Sequence, residues 1–467
     1  MEKTKQNLGY VISLSVVAAI GGFLFGYDTA VISGTVQQVT QQFDLNSMQV
    51  GWFVGCALVG SILGVSIAGM LSDHFGRKKT MILSALLFSA SAIGCAISSS
   101  YAGLVIYRII GGIGIGIVSI VSPMYISEVS LPKYRGSLVS LYQLAITVGF
   151  LGAYLANFNL LRLSISGYAP AGELMGKILV TEVWRAMFGA ETLPALLFFA
   201  VIFFIPESPR WLVVKHSEPK AQKILMRILR DDKEVDAQIA DIRSLSNVEN
   251  KSEWSLIFKP GIFRAVLIGA AIAILGQFMG VNAVLYYGPK IFQDSGLSSG
   301  DSLFYQVLVG LVNMLTTVIA LLIIDKVGRK KLVYFGVTGM IISLMAIGLY
   351  FLKGQAMGLS SVYLLVFFLA YIFCCAISIC AVIWVLLSEM YPNNVRGLAM
   401  SIAGFSLWIG TYLIGQLTPW VLEHLTPAGT FFIFTLMCLP YLWLIWKKVP
   451  ETTGKSLEEI ERMWIKK

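Results

Sequence analysis

The sequence predicts an all-α membrane protein of twelve transmembrane helices in two six-helix bundles. Three observations predict it: charge is scarce, uncharged runs of spanning length recur, and the same motifs return at a constant offset in span count. Of 467 residues, 57% are apolar and 13% charged, where a soluble protein carries about a quarter charged residues. Lipid is therefore the solvent for most of the chain.

The runs are each about twenty residues long, enough for a helix to cross roughly 30 Å of hydrocarbon while satisfying its own backbone. They start near Tyr10, Val50, Thr80, Tyr101, Gly136, Phe188, Ile262, Asp301, Leu332, Ser361, Gly397 and Gly429. The first continues through Gly26, Tyr27 and Asp28 without the short apolar region and cleavage site of a signal peptide, so it reads as a retained span.

Basic residues orient the spans. Asp73-His-Phe-Gly-Arg-Lys-Lys79 follows span two, Lys133 and Arg135 follow span four, and Glu207 to Lys259 carries ten Lys or Arg. The linker from Ser33 to Gln49 has none. Basic loops stay cytoplasmic, which puts both termini inside. The net charge of +9 reads as this bias together with attraction to anionic lipid, not as a nucleic-acid surface.

Cys56, Cys95, Cys374, Cys375, Cys380 and Cys438 all fall in apolar runs, where they pack as small hydrophobes. No metal site is expected, since no His or carboxylate clusters with them. The three histidines, His74, His216 and His424, fall in loops, so a buried catalytic base is not apparent and an enzyme is not expected.

The chain repeats itself. Asp73-His-Phe-Gly76-Arg77-Lys78-Lys79 after span two matches Asp325-Lys-Val-Gly328-Arg329-Lys330-Lys331 after span eight. Ser127-Glu128 with Arg135-Gly136 matches Ser388-Glu389 with Arg396-Gly397, and Pro206-Glu207-Ser208 matches Pro450-Glu451-Thr452. A single basic loop is explained by orientation alone, but three matches at one offset mean a duplicated six-span unit. The organisation is a first bundle over 1–206, a cytoplasmic linker over 207–260, a second bundle over 261–449 and a cytoplasmic helix over 450–467. In the linker, Ser217-Glu-Pro219 starts a helix with Ile224, Leu225, Ile228 and Leu229 on one face. At the C-terminus, Ser456-Leu-Glu-Glu459 has capping-box spacing. Asp73, Arg77, Glu128 and Arg135 sit where ion pairs would break when two halves rock, each worth about 0–1 kcal/mol if exposed, which suits a latch.

Ionisable residues inside spans are functional hypotheses by default. Asp28, Arg108 and Glu191, in spans one, four and six, are expected at similar depth, where they can form one cluster. Asp28 would bind and release a coupling proton, Arg108 stabilise its deprotonated state, and Glu191 share the guanidinium. A static ion pair fixing helix packing is the competing reading. For a neutral, hydroxyl-rich ligand, Gln277, Asn282, Tyr286 and Tyr287 in span seven, Asn313 in span eight, Trp384 in span ten and Gln143 in span five supply amides and aromatic faces. Each amide alone also fits an interhelical hydrogen bond, and Trp384 an interfacial belt. The Gly111-Gly-Ile-Gly114-Ile-Gly116 run lies inside span four, so close helix packing is expected in place of a nucleotide loop.

Phe25-Gly-Tyr-Asp28, the paired Asp-x-x-Gly-Arg-Lys loops, Pro206-Glu-Ser-Pro-Arg210, Gln277-Phe-x-Gly-x-Asn282 with Tyr286-Tyr287, and Pro450-Glu-Thr452 together resemble the sugar porters of the major facilitator superfamily. Among these the likeness is to bacterial sugar-proton symporters, through Asp28. The resemblance implies a monomer in the plasma (inner) membrane that imports a pentose or hexose with a proton and needs no cofactor. It assigns coupling to Asp28, Arg108 and Glu191, sugar contact to Gln143, Gln277, Asn282, Asn313 and Trp384, and cavity lining to Phe25 and Tyr286. It implies a cytoplasmic latch of Asp73, Arg77, Glu128, Arg135, Glu207, Asp325, Arg329, Glu389 and Arg396. Three positions depart from the family pattern: Gly276 replaces a glutamine, Leu407 an amide, and Cys380-Ala381 the Gly-Pro pair that loosens span ten. An uncoupled uniporter of the same fold and a membrane sugar sensor remain as alternatives.

Overall fold

The computed structural model describes residues 7–167, 172–215, 217–246, 257–391 and 395–449. The expected 450–467 helix, Glu451 and His216 lie outside these residues, and the described residues contain no strand. Spans one to five are Leu8–Phe43, Ser47–Phe75, Arg77–Ile97, Tyr101–Val129 and Arg135–Ile165. Span six is Val183–Ala190 with Thr192–Val201, span seven Pro260–Phe278 with Val281–Asp294, span eight Ser299–Val327 and span nine Arg329–Leu349. Span ten runs through Ser361–Cys375, Ala376–Cys380 and Ala381–Met390. Spans eleven and twelve form one run, Arg396–Lys448, of 53 residues, broken at Thr426 (φ 61°, ψ 163°). At 1.5 Å per residue the run measures about 80 Å, more than twice the hydrocarbon thickness, so it holds two crossings. Twelve spans result. Large apolar side chains such as Leu193, Leu322 and Met70 stand exposed on them, as lipid-facing positions require.

Three spans are interrupted, each for a local reason. In span six, Pro194 has no N–H to offer the carbonyl four residues back, and Glu191 sits at the break between the two helical pieces. In span seven the break falls inside the Gln277–Asn282 motif. Gly280 takes a left-handed conformation (φ 89°) that a side chain would resist, and Tyr371 Oη donates to the freed Met279 carbonyl at 2.7 Å. In span ten a π turn over Ala376–Cys380 widens the helix just ahead of Ala381. Where Gly-Pro is absent, that turn provides the irregularity. It also turns Cys375 and Cys380 toward each other, with 3.6 Å between the sulfurs, and all six cysteines are free thiols.

The chain forms two compact units that do not follow the sequence halves: 1–29, 59–153 and 185–251 in one, 30–58, 154–184 and 252–467 in the other. In the first unit, spans two and four meet backbone to backbone. A Cβ at Gly60, Gly64 or Gly116 would overlap main-chain atoms of the facing helix, so the glycine-rich run of span four serves packing. Spans one and five approach as closely at Gly26 and Gly149. The linker helix Glu218–Leu229 starts where expected and buries Ala221, Leu225, Ile228 and Leu229, with Ile224 half-buried.

The second unit joins the charge-poor ends of spans one, two and five to the helices of the second half. Gly51 of span two lies against the Gln416 carbonyl of span eleven, closer than any Cβ would permit, and Gln416 Nε2 donates to the Met48 carbonyl at 3.0 Å. Tyr154 Oη of span five donates to the Leu285 carbonyl at 3.0 Å, and Gln306 Nε2 reaches the same oxygen at 3.3 Å. Leu285 needs these partners because Pro289, four residues on, has no N–H to give it. The charge-poor end is thereby sealed.

Candidate functional site

Asp28, Arg108 and Glu191 meet in the interior of the first unit, each at most 2% exposed. Arg108 Nη1 donates to Asp28 Oδ1 at 2.8 Å and approaches the Asp28 carbonyl oxygen at 3.3 Å. Its guanidinium also lies over the Phe188 ring, 5.6 Å from the centroid, one turn before Glu191 on span six. Gly111 leaves the space beside Asp28, where a Cβ would stand 3.6 Å from Oδ1.

Glu191 does not hydrogen-bond the guanidinium as expected. Its carboxyl feels the charges of both Asp28 and Arg108, and neither Glu191 oxygen, nor Asp28 Oδ2, accepts a hydrogen bond from a described residue. Two carboxylates and one guanidinium sum to −1, and one proton brings the cluster to zero. A buried net charge costs several kcal/mol, and a proton on either carboxyl removes it. The geometry therefore suits one exchangeable proton.

In the second unit the broken span seven brings Gln277 and Asn282 together. Asn282 Nδ2 donates to Gln277 Oε1 at 2.7 Å, and the Thr411 hydroxyl of span eleven lies 3.2 Å from the same oxygen while also bonding the Leu407 carbonyl at 2.9 Å. With its carbonyl occupied, Gln277 has its NH2 group left to donate. Thr411 was not legible as a site residue, since one threonine in an apolar run carries no signal. Losing its hydroxyl should cost about 0.5–1.5 kcal/mol of positioning. Thr411→Val is thus expected to raise the KM for uptake about two- to tenfold with Vmax little changed, and Thr411→Ser to restore it.

The other expected ligands fall on five stretches of helix. Asn313 is buried on span eight, Phe25 and Gln143 are half-buried in the first unit, and Trp384 is 39% exposed with its ring edge 3.7 Å from a Cβ at Gly404. Tyr286 is buried and lines a cavity at the charge-poor end. Gly276 faces Ile379, Ile383 and Tyr441, so its missing amide would point into apolar packing.

At the basic ends the duplication persists to the level of atoms. Gly76 and Gly328 take nearly the same left-handed turn (φ 94° and 97°). Arg77 donates to the Ser72 carbonyl five residues back and to both oxygens of Glu128, at 3.0 and 2.9 Å. Arg329 donates to the Ile324 carbonyl five residues back and to Glu389 at 2.8 Å. Lys78 and Lys330 bond carbonyls just past the ends of spans six and twelve, at Phe203 and Val449.

Several expectations change here. Each network lies within one bundle and staples the ends of its own helices. Asp73 reaches Arg77 at 3.0 Å from an exposed position. Arg135 is exposed with no ion pair among the described residues, because it opens span five outside the Arg77 cluster. Among the described residues Arg396 meets the Tyr391 carbonyl, at 3.3 Å, and the Asp325 side chain lies outside them. Glu207 forms no ion pair among the described residues, because its carboxylate is taken up by the backbone N–H groups of Arg77 and Lys78 at the start of span three and of Ser208. Burial pushes this carboxyl above its ordinary value, and those three N–H bonds and the Arg77 charge pull it part of the way back. Because the Arg77–Glu128 fork is bidentate and nearly buried, Arg77→Lys should destabilise the purified protein by about 1–3 kcal/mol, read as a lower melting temperature.

Twelve spans in two bundles, a proton-sized charge imbalance in one and an amide cluster at a broken helix in the other, define a secondary carrier. The chain belongs to the sugar transporter family: the family model described as "Sugar (and other) transporter" matches residues 14–464. It is 39% identical over 461 residues to the arabinose-proton symporter of Bacillus subtilis (strain 168), covering 99% of this chain and 96% of that one. It is 36% identical over 494 residues to the D-xylose-proton symporter of Escherichia coli (strain K12), covering 99% and 97%. The inward-open structure of the E. coli xylose transporter XylE superposes with a TM-score of 0.83 at 35% identity, covering 97% of this chain and all of that one.

Proposed function

We propose that this protein imports a monosaccharide together with one proton by alternating access, with residues 1–206 and 261–449 as the two rocking bundles. The observation that carries the reading is the Asp28–Arg108–Glu191 cluster, two carboxyls against one guanidinium in a dry interior. When the cluster holds a proton it is neutral. When it releases one, the net charge left behind favours the conformation that admits solvent or a new proton.

Sugar is held by the Gln277 amide, oriented through Asn282 and Thr411, together with Asn313 and Gln143, while Phe25, Tyr286 and Trp384 offer aromatic faces. The basic loops face the cytoplasm of a cell whose inner membrane the protein crosses as a monomer, so the sealed charge-poor end is the outer one. The basic-end networks keep each bundle rigid as it moves. The substrate is a pentose or hexose. The arabinose- and xylose-proton symporters similar to this chain support that choice, and so does a site built from neutral amides. Counterflow in proteoliposomes preloaded with L-arabinose, D-xylose or D-glucose tests it: at least one should accelerate uptake of its labelled self. If none does, the monosaccharide assignment fails. A sensor would bind a sugar without counterflow, and a uniporter would show counterflow without response to a pH gradient.

A further inference from the structure

A polar cavity of about 710 Å³ opens at the charge-poor end of the second unit, and neither Gln277 nor Asn282 is in its lining. Its volume falls in the range of small-molecule pockets, roughly 300–1,000 Å³. One wall is the last turns of span one, where Gln37, Gln38, Gln41 and Gln42 follow one another in adjacent pairs, and Tyr286 and Tyr287 of span seven also line it. Gln38 accepts from the Trp184 backbone N–H at 3.0 Å and Gln42 from the Trp184 indole N–H at 2.6 Å. Those two amides therefore hold Trp184 through their oxygens and keep their NH2 donors. Gln37 and Gln41 have no hydrogen bond to a described residue and are partly or fully open to solvent.

The charges in the lining decide the class of ligand. Glu182 is paired with Lys177 at 3.5 Å, and Lys290 with Asp294 one turn on. What remains is a row of neutral groups that donate and accept together, which favours a neutral polyhydroxylated solute over an ion. Tyr287 of this lining donates to the Gly415 carbonyl beside Gln416, and Tyr286 follows Leu285, whose carbonyl Tyr154 holds, so the cavity borders the seal.

We propose that this cavity is an outer vestibule that binds a monosaccharide weakly while the outer seal is closed, and delivers it when the seal opens. The inference rests on the sugar-transport reading above and adds to it a second site, on the outer side. Saturation-transfer NMR on the purified full-length protein with D-xylose and D-glucose tests it. Wild type should give a saturation signal. Gln277→Leu combined with Asn282→Ala, which disables the central cluster, should keep a signal, and adding Gln37→Leu and Gln41→Leu should abolish it.

If the central-site variant is silent while wild type is not, the vestibule is wrong and sugar transport stands. Persistence of signal in the fourfold variant also overturns the vestibule. Silence of wild type with every sugar removes both readings. A nitroxide on Gln41→Cys in otherwise wild-type protein gives a check that needs no central-site variant, since the native cysteines are mostly buried. The label should broaden the sugar's resonances more than one on Gln222→Cys, an exposed position of the linker helix. Equal broadening would contradict the vestibule.

Discussion

Replacing Asp28 with asparagine should abolish accumulation against a gradient while leaving sugar exchange intact. A pH difference of one unit is worth about 1.4 kcal/mol per proton. At one proton per sugar, wild type in proteoliposomes therefore reaches about tenfold accumulation for one unit and about a hundredfold for two. In Asp28→Asn the cluster retains Glu191 and Arg108, one negative and one positive charge, and is neutral with no proton bound. The pH gradient then has nothing to act on and the ratio should stay near one.

Glu191→Gln leaves the 2.8 Å Asp28–Arg108 pair, which is likewise neutral without a proton, and should uncouple to the same degree. A static packing pair makes the opposite forecast. It would make Asp28→Asn unstable, since breaking a buried ion pair costs about 3–5 kcal/mol, and would let Glu191→Gln accumulate sugar normally. Measuring accumulation ratio and melting temperature for both variants separates the two.

Gly51→Trp should stop net uptake, by at least about a hundredfold, without unfolding the protein. Gly51 packs on the Gln416 carbonyl, with Gly55 beside Tyr412 and Gly415 beside Leu58 and Val54. An indole cannot enter a contact already too close for a methyl group, and backbone on the far side cannot turn away as a side chain could. A bias of about 5.5 kcal/mol inverts a 99:1 equilibrium, and an overlap of this size exceeds what packing adjustments usually absorb, about 1–3 kcal/mol. The closed outer seal is thus removed from the ensemble while both bundles remain folded. Labelling of Tyr412→Cys by a membrane-impermeant maleimide from outside should rise several-fold in the Gly51→Trp background. Unchanged labelling together with normal uptake would show that this contact is not part of the cycle.

Much of this was legible in the sequence, and what was missed has physical causes. Composition and hydropathy gave the spans, because a bilayer leaves so few solutions for a backbone. The Asp28–Arg108 contact followed from depth alone, since two opposite charges at one level in a dry bundle must find each other. The break at Gly280 and the π turn at Ala376–Cys380 were not read, because a glycine or a Cys-Ala step is equally compatible with a straight span. Pro289 did carry a signal: a carbonyl at Leu285 without its helical donor needs another, and Tyr154 and Gln306 supply it. The ion-pair partners at the basic ends were only half right. Sequence spacing placed Arg77 near Glu128 but could not show that helix N–H groups would claim Glu207.

The central claim is that one proton crosses with each sugar, and proton movement in wild-type protein tests it most directly. In lightly buffered proteoliposomes clamped at zero membrane potential, adding a counterflow-active sugar outside should make the medium alkaline, with one proton lost from it for each sugar taken up. Sugar uptake at the same rate with no change in external pH would contradict the account, and the chain would then be a uniporter with a buried ion pair.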